Sequence, residues 1–324
     1  MPDSTIWRES IRLTAGAFLL ALAGCASLVP QTMELRESWP EGVASRTEIG
    51  EVPFFPQEEY QCGPAALATA LVHAGAPVTP DELVNLVYLP ARQGSLQIEM
   101  LAASRRHSRI SYPLSPRFDH LLREVAAGNP VIVLQDTGFG PLTNWHYAVV
   151  VGFDYPSGEL YLRSGATKRL AIPFTVFEFT WRKSDYWAMV TMPPDRVAAT
   201  ATESGYLAAI SAMERVGDPG AAKIAYAAAL NRWPESVAAS VGLANRDYAL
   251  GLLVEAELVL RRAAARQPNS VAVLNNLAQV LSDLGKNDEA LVFIERAAQP
   301  AGSAFAAAVR ETHALILKRM GRNR

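Results

Sequence analysis

The chain has 324 residues, a formal charge of −2 and a half-hydrophobic composition, which suits a globular protein large enough for two domains. Its 30 basic and 32 acidic residues form no basic patch, so nucleic acid is excluded as a partner. Five histidines and two cysteines show no metal-ligand spacing, so no metal or other cofactor is expected, and two cysteines are too few for a disulfide framework.

The N-terminus reads MPDSTIWRESIRLTAGAFLLALAGCASLVPQ. Arg8 and Arg12 precede an uncharged, mostly apolar run from Leu13 to Leu22. That is the pattern of an export signal and is too short for a stable membrane span. The tetrapeptide Leu22-Ala23-Gly24-Cys25 resembles the bacterial lipobox. The resemblance implies a signal peptide over 1–24 and a diacylated Cys25 as the mature N-terminus, held on a membrane by acyl burial. Ala26 and Ser27 follow, with no Asp at the second mature position. Similarity to the Gram-negative sorting rule then implies the bacterial cell envelope, at the outer membrane facing the periplasm. Residues 25–48 lack periodicity and are expected to be a tether.

Residues 49–194 carry mixed helix and strand signals. A helix is predicted over 64–73, closed near Gly75. Thr79-Pro80-Asp81-Glu82 is a capping box with Pro at the first helical position. Residues 94–106 are expected to be helical, and Ser115-Pro116 to open a helix ending near Gly128-Asn129. PVIVLQDT, HYAVVVGFDY, GELYLRSG, TKRLAIPF and SDYWAMVTM then read as strands separated by turn residues. Segregated helices and strands indicate an α+β domain with an antiparallel sheet. Trp145, Trp181 and Trp187 are expected either in the core or along a cleft.

After a linker at 195–202, residues 203–324 are alanine-rich and repetitive. Gly217, Gly251 and Gly285 are spaced by one period; so are Ala222, Ala256 and Ala290, and Ala229, Ala263 and Ala297. Pro234 and Pro268 follow the same period, while Pro300 falls short of it. This pattern of small crossing residues, turn glycines and closing prolines resembles tetratricopeptide repeats, with a capping helix in AFAAAVRETHALILKRM. It implies an all-α repeat domain whose concave surface binds a protein or peptide partner.

With Cys25 carrying lipid, Cys62 is the single mature thiol. It stands directly before Gly63-Pro64 at the predicted mouth of a helix. Unsatisfied backbone N–H groups and the helix dipole favour an anion there and are expected to lower the thiol pKa. A thiolate nucleophile needs a base. His73 lies eleven residues along the same helix, about 16 Å away. His107 sits in a polar connection, His120 on the polar face of a helix, and His313 in the repeats. His146 remains, at the head of the strand HYAVVVGF, where its ring can meet a helix N-terminus.

VPFFPQEEYQCGPAALATAL followed by WHYAVVVGFD resembles the bacteriocin-processing cysteine peptidase family, a papain-like group, over about residues 51–194. The resemblance implies Cys62 as nucleophile and His146 as general base, then general acid for the leaving amine. An upstream glutamine would complete an oxyanion hole with the Cys62 backbone N–H. The family position holds Pro56 here, which leaves Gln57 and Gln61; Gln57 is chosen because a residue adjacent to the nucleophile is poorly placed to reach around it. The family's third member is an aspartate, and here Ser164-Gly165 occupy its place. Asp154 lies about 26 Å along the same strand and cannot substitute. Folding the strand back through Pro156-Ser157-Gly158 puts Ser164, or second Thr167, opposite His146. The implied function is a membrane-anchored lipoprotein cysteine peptidase acting on a peptide or protein substrate. A degenerate, scaffold-like peptidase domain assembling envelope proteins, and acyl transfer to an amine in place of water, remain as alternatives.

Overall fold

A computed structural model of the protein describes residues 28–57, 61–299 and 304–322. The signal region 1–24, Cys25 and Pro300 lie outside the described residues. The chain divides into two compact units: Met1–Met100 with Pro113–Thr191, and Leu101–Tyr112 with Met192–Arg324. The second unit thus takes in a short segment, 101–112, that the sequence places in the first domain.

The first unit opens with helix α1 (Pro30–Glu37) and strand β1 (Arg46–Glu48), followed by α2 (Cys62–His73) and α3 (Pro80–Val87). A small hairpin of β2 (Tyr88–Leu89) and β3 (Gly94–Ser95) precedes α4 (Gln97–Arg106) and β4 (Ile110–Pro113), most of whose residues belong to the second unit. Then come α5 (Phe118–Ala126), β5 (Val131–Asp136), β6 (Trp145–Asp154), β7 (Glu159–Ser164), β8 (Thr167–Pro173), α6 (Phe174–Trp181) and β9 (Ala188–Met192).

The central sheet places β5 between β9 and β6, with β7 and then β8 beyond β6. These pairings are antiparallel. Central β5 and β6 are buried on both faces, with Val131–Val133 and Ala148–Val151 fully buried and α2, α5 and α6 packing on these strands. Helix α2 is buried on almost its whole circumference and packs on β6. Its alanines let helix and sheet backbones come close, which brings the first turn of α2 to the head of β6. The capping box at α3 forms as the sequence predicts, with the Thr79 N–H donating to Glu82 Oε2 at 2.7 Å.

One stretch departs from the sequence expectation. The stretch expected to be a tether is folded from α1 onward. The backbone N–H groups of Gln31 and Thr32 donate to the buried Glu178 carboxylate at 2.9 and 2.6 Å, capping α1 from a distant residue. Strand β1 pairs with the far end of β6, from Arg46 opposite Asp154 to Glu48 opposite Gly152. Gly152 permits this approach, since a Cβ there would lie 2.7 Å from the Thr47 carbonyl oxygen. Helix α6, FTVFEFTW, is rich in aromatic and β-branched residues that favour strands. It is helical because Phe174, Phe177 and Trp181 together bury one face around Phe118.

In the second unit, α7 (Glu203–Glu214), α9 (Val237–Ala249) and α11 (Val271–Asp283) alternate with α8 (Pro219–Arg232), α10 (Leu253–Arg266) and α12 (Asn287–Ala298), and α13 (Ala306–Arg319) follows. Each series starts 34 residues after its predecessor. The periodic alanines sit where helices cross: Ala222, Ala229, Ala256 and Ala290 are fully buried. Gly251 and Gly285 take the left-handed conformation that ends α9 and α11, at φ 76° and 79°. Within this unit Ser108 Oγ accepts from the Asp218 N–H at 2.9 Å, and the Tyr112 hydroxyl from the Thr202 N–H at 3.2 Å, which explains why 101–112 groups here.

Candidate active site

Cys62 is the first residue of α2 and the free cysteine among the described residues. Its sulfur faces the backbone N–H groups of Tyr147 and Gly63 as well as its own. Tyr147 follows His146 directly, so the thiol sits one residue from the imidazole. Both line a single cleft of about 1070 Å³, together with Gln57, Ser95, Trp145 and Gly165.

His146 Nε2 is 2.9 Å from Ser164 Oγ. The ladder between β6 and β7 ends at Val149 opposite Arg163, so Ser164 lies just past regular pairing. A register shift between Leu162 and Ser164, then Gly165 at φ 57°, swings the serine toward the imidazole. Arg163 braces this corner, donating to the carbonyls of Lys168 at 2.6 Å and Val52 at 3.3 Å. Thr167, the second candidate, is exposed and pairs with Ser164 in the β7–β8 ladder. Among the described residues His146 Nδ1 has no hydrogen-bond partner, and no hydrogen bond joins it to the Cys62 sulfur.

Gln57 is drawn into the same corner. Its backbone N–H donates to the Gly165 carbonyl at 3.1 Å, its Oε1 accepts from the Gly165 N–H at 3.0 Å, and its Nε2 donates to the Tyr147 carbonyl at 3.2 Å. It therefore ties the residue after His146 to the residue after Ser164. Among the described residues one Nε2 proton remains uncommitted. Gln61 is the N-cap residue of α2, without a side-chain capping bond.

The electrostatics correct one expectation. The helix mouth does favour the Cys62 anion, but burial outweighs the backbone N–H groups and pushes the thiol pKa up. Burial also holds the His146 pKa down. The pair therefore rests at neutral pH as thiol and neutral imidazole. The other histidines stand apart. His73 Nε2 meets the Gly128 carbonyl at 3.1 Å, at the opposite end of α2. Asp154 pairs with Arg46 at 3.0 Å, at the far end of β6. Of the tryptophans, Trp181 is fully buried, Trp187 packs edge-on against Tyr147, and Trp145 is half-exposed on the cleft wall.

Sequence reasoning passed over two parts of the cleft. Ser95 reaches it from the β2–β3 hairpin, and its Oγ presses on Gly63, where a Cβ would lie 2.2 Å away. No local pattern marks that contact. The connection between β5 and β6 forms part of the other wall, and its glycines Gly138 and Gly140 are the signal that marks a turn there. Among the described residues no three His, Cys, Asp or Glu side chains converge to hold a metal ion.

Comparison with known proteins shows what this region is similar to. Residues 49–189 match the model of the Peptidase C39-like family. Among solved structures, one assigned as a C39-like peptidase from Bacillus anthracis is 18% identical, covering 45% of this chain and 97% of that one, with a TM-score of 0.39. A double-glycine-motif protease of an AMS/PCAT transporter, in complex with its leader peptide, is 20% identical, covering 45% of this chain and 93% of that one, with a TM-score of 0.34. No curated protein matches the chain.

Proposed function

We propose that the protein is a lipid-anchored cysteine peptidase in which Cys62 attacks a peptide carbonyl and His146 is its base. The observation that carries this reading is the shared cleft, where the single described thiol at a helix mouth lies one residue from an imidazole oriented by Ser164. With Nε2 directed at Ser164, the free Nδ1 accepts the thiol proton as the sulfur attacks. The resting pair is uncharged, so proton transfer accompanies attack and no preformed ion pair is needed. The protonated imidazole then returns the proton to the leaving amine, and water hydrolyses the acyl-enzyme. The tetrahedral oxyanion takes the Cys62 backbone N–H and the remaining Nε2 proton of Gln57. Cys25 would carry the anchoring lipid at the outer membrane, facing the periplasm, and the helical unit would act as tetratricopeptide-type repeats that bind a protein partner.

The test uses residues 26–324 and a pool of fluorescence-quenched peptides, with products identified by mass spectrometry. Wild type is expected to cleave at defined bonds, Cys62→Ala at none, and His146→Ala at least 100-fold more slowly, on the order of a general base's contribution. Wild type indistinguishable from Cys62→Ala over the pool would overturn the reading. It would favour the second one, a scaffold, which the raised thiol pKa and the neutral Ser164 already support. Products joined to an amine would identify acyl transfer.

A further inference from the structure

The connection between β5 and β6 is built to hold apolar side chains in water. Phe139 is 93% exposed and Leu142 76%, more than any other large hydrophobic residue among those described. Trp145, at the start of β6, is 49% exposed. The base of this loop is tightly braced. Asp136 Oδ1 accepts from the N–H groups of Gly138 at 2.9 Å and Asn144 at 2.8 Å, and its carboxylate pairs with Lys183 at 3.4 Å. Burial opposes that charge, yet the two N–H groups and the ammonium outweigh it and hold the Asp136 pKa below the ordinary carboxylate value. Lys183 also donates to the Gly138 carbonyl at 3.0 Å, and Asn144 Nδ2 to Thr137 Oγ1 at 2.9 Å. Gly138 is required by the fold of the loop, since a Cβ there would lie 1.9 Å from the Leu142 carbonyl oxygen.

A frayed loop would leave apolar residues in solvent by accident; this one is held at its base by an ion pair and four hydrogen bonds. Its position indicates the occupant. Thr143, Asn144 and Trp145 line the same cleft as Cys62 and His146, and so does the bracing Lys183. The exposed tip therefore stands at the rim of the candidate active site, next to any polypeptide lying across it.

We infer that Phe139, Leu142 and Trp145 form a specificity site that takes an apolar aliphatic side chain of the peptide lying in the Cys62 cleft. The occupant is a polypeptide because Trp145 itself lines the cleft that holds the thiol and the imidazole and Leu142 directly precedes Thr143, which lines it too, and the side chain is apolar because the tip carries no charged residue. This rests on the peptidase reading for the identity of the ligand, not for its detection.

Binding separates the two. Matched tripeptide amides, with Leu or the near-isosteric Asn at each position in turn, are titrated calorimetrically into Cys62→Ser protein of residues 26–324, which needs no thiol chemistry. At one position Leu is expected to bind about tenfold more tightly than Asn, the scale of discrimination by a small apolar contact. In the Phe139→Ser/Leu142→Ser double variant, whose exposed sites leave the melting temperature within about 2 °C of its parent, the ratio is expected to fall below about twofold. No preference at any position, or a preference that survives the double variant, overturns the inference. So does sedimentation with phosphatidylethanolamine–phosphatidylglycerol vesicles that the double variant abolishes while no Leu preference is found, since the rim is then a membrane contact. Iodoacetamide labelling of wild-type Cys62 reads the thiol separately: an inert thiol with an intact Leu preference sinks the enzyme and leaves the binding site standing.

Discussion

His146 Nε2 meets Ser164 Oγ at 2.9 Å across the ends of two paired strands. A hydroxyl at this place fixes the ring and its tautomer, but it cannot stabilise an imidazolium as a carboxylate does. Ser164→Ala is expected to lower kcat/KM about tenfold, the equivalent of one neutral hydrogen bond of about 1.4 kcal/mol. Ser164→Asp is expected to raise the His146 pKa and move the acid limb of the pH–rate profile upward. The profile is measured on peptide hydrolysis for the three proteins. An acid limb that does not move in Ser164→Asp would show that Ser164 does not orient the base.

Gln57 reaches both sides of this contact, through Gly165 and through Tyr147. Gln57→Glu keeps an acceptor for the Gly165 N–H but sets a carboxylate against the Tyr147 carbonyl, with no proton to share. It is expected to destabilise the first unit by about 1–3 kcal/mol and to be worse than Gln57→Ala in thermal unfolding. Both variants lose the Nε2 donor, so both are expected to lower kcat more than they raise KM. A KM effect alone would place Gln57 in substrate binding and remove it from the oxyanion.

Part of this site is legible in the sequence and part is not. Cys62 and His146 are readable because each stands at a marked boundary: a Gly-Pro helix start, and the head of an apolar strand. Ser164 is readable because the Pro156-Ser157-Gly158 turn fixes which residues of β7 can return to His146. The 34-residue period of glycine and alanine likewise announces the paired helices. What escapes is set by distant partners. Helix α1 has its cap 147 residues away at Glu178, and α6 overrides its strand-favouring composition by burying Phe174, Phe177 and Trp181. The thiol pKa escapes as well: sequence shows the helix mouth that lowers it but not the burial that raises it.

The resting charge state predicts a pH window for stability. The folded His146 pKa lies below the unfolded value of about 6.5, so the stability tied to its neutral form is present above that pH and is lost as pH falls. The folded Cys62 pKa lies above the unfolded value of about 8.5, so the stability tied to its protonated form is present below that pH and is lost as pH rises. The melting temperature is expected to be flattest between the two. His146→Gln should flatten the acid side and Cys62→Ser the alkaline side, each measured by thermal unfolding over a pH series. Identical slopes in wild type and both variants would show that neither group is held neutral by the fold.

Gly63 provides a test of how α2 is seated at the cleft. In a helix Ala is better than Gly by about 1 kcal/mol, so propensity alone makes Gly63→Ala stabilising. A Cβ at this position would lie 2.2 Å from Ser95 Oγ and 2.6 Å from Ser95 Cβ. Overpacking of that kind costs about 1–3 kcal/mol, which exceeds the gain in propensity. Gly63→Ala is therefore expected to lower the melting temperature and, by displacing the first turn of α2, to slow alkylation of Cys62. Ser95→Gly removes both clashing atoms. In that background Gly63→Ala is expected to turn neutral or stabilising and to restore the alkylation rate. Thermal unfolding of the four proteins of this cycle measures the coupling; additive effects would mean that the hairpin carrying Ser95 does not press on the nucleophile's helix.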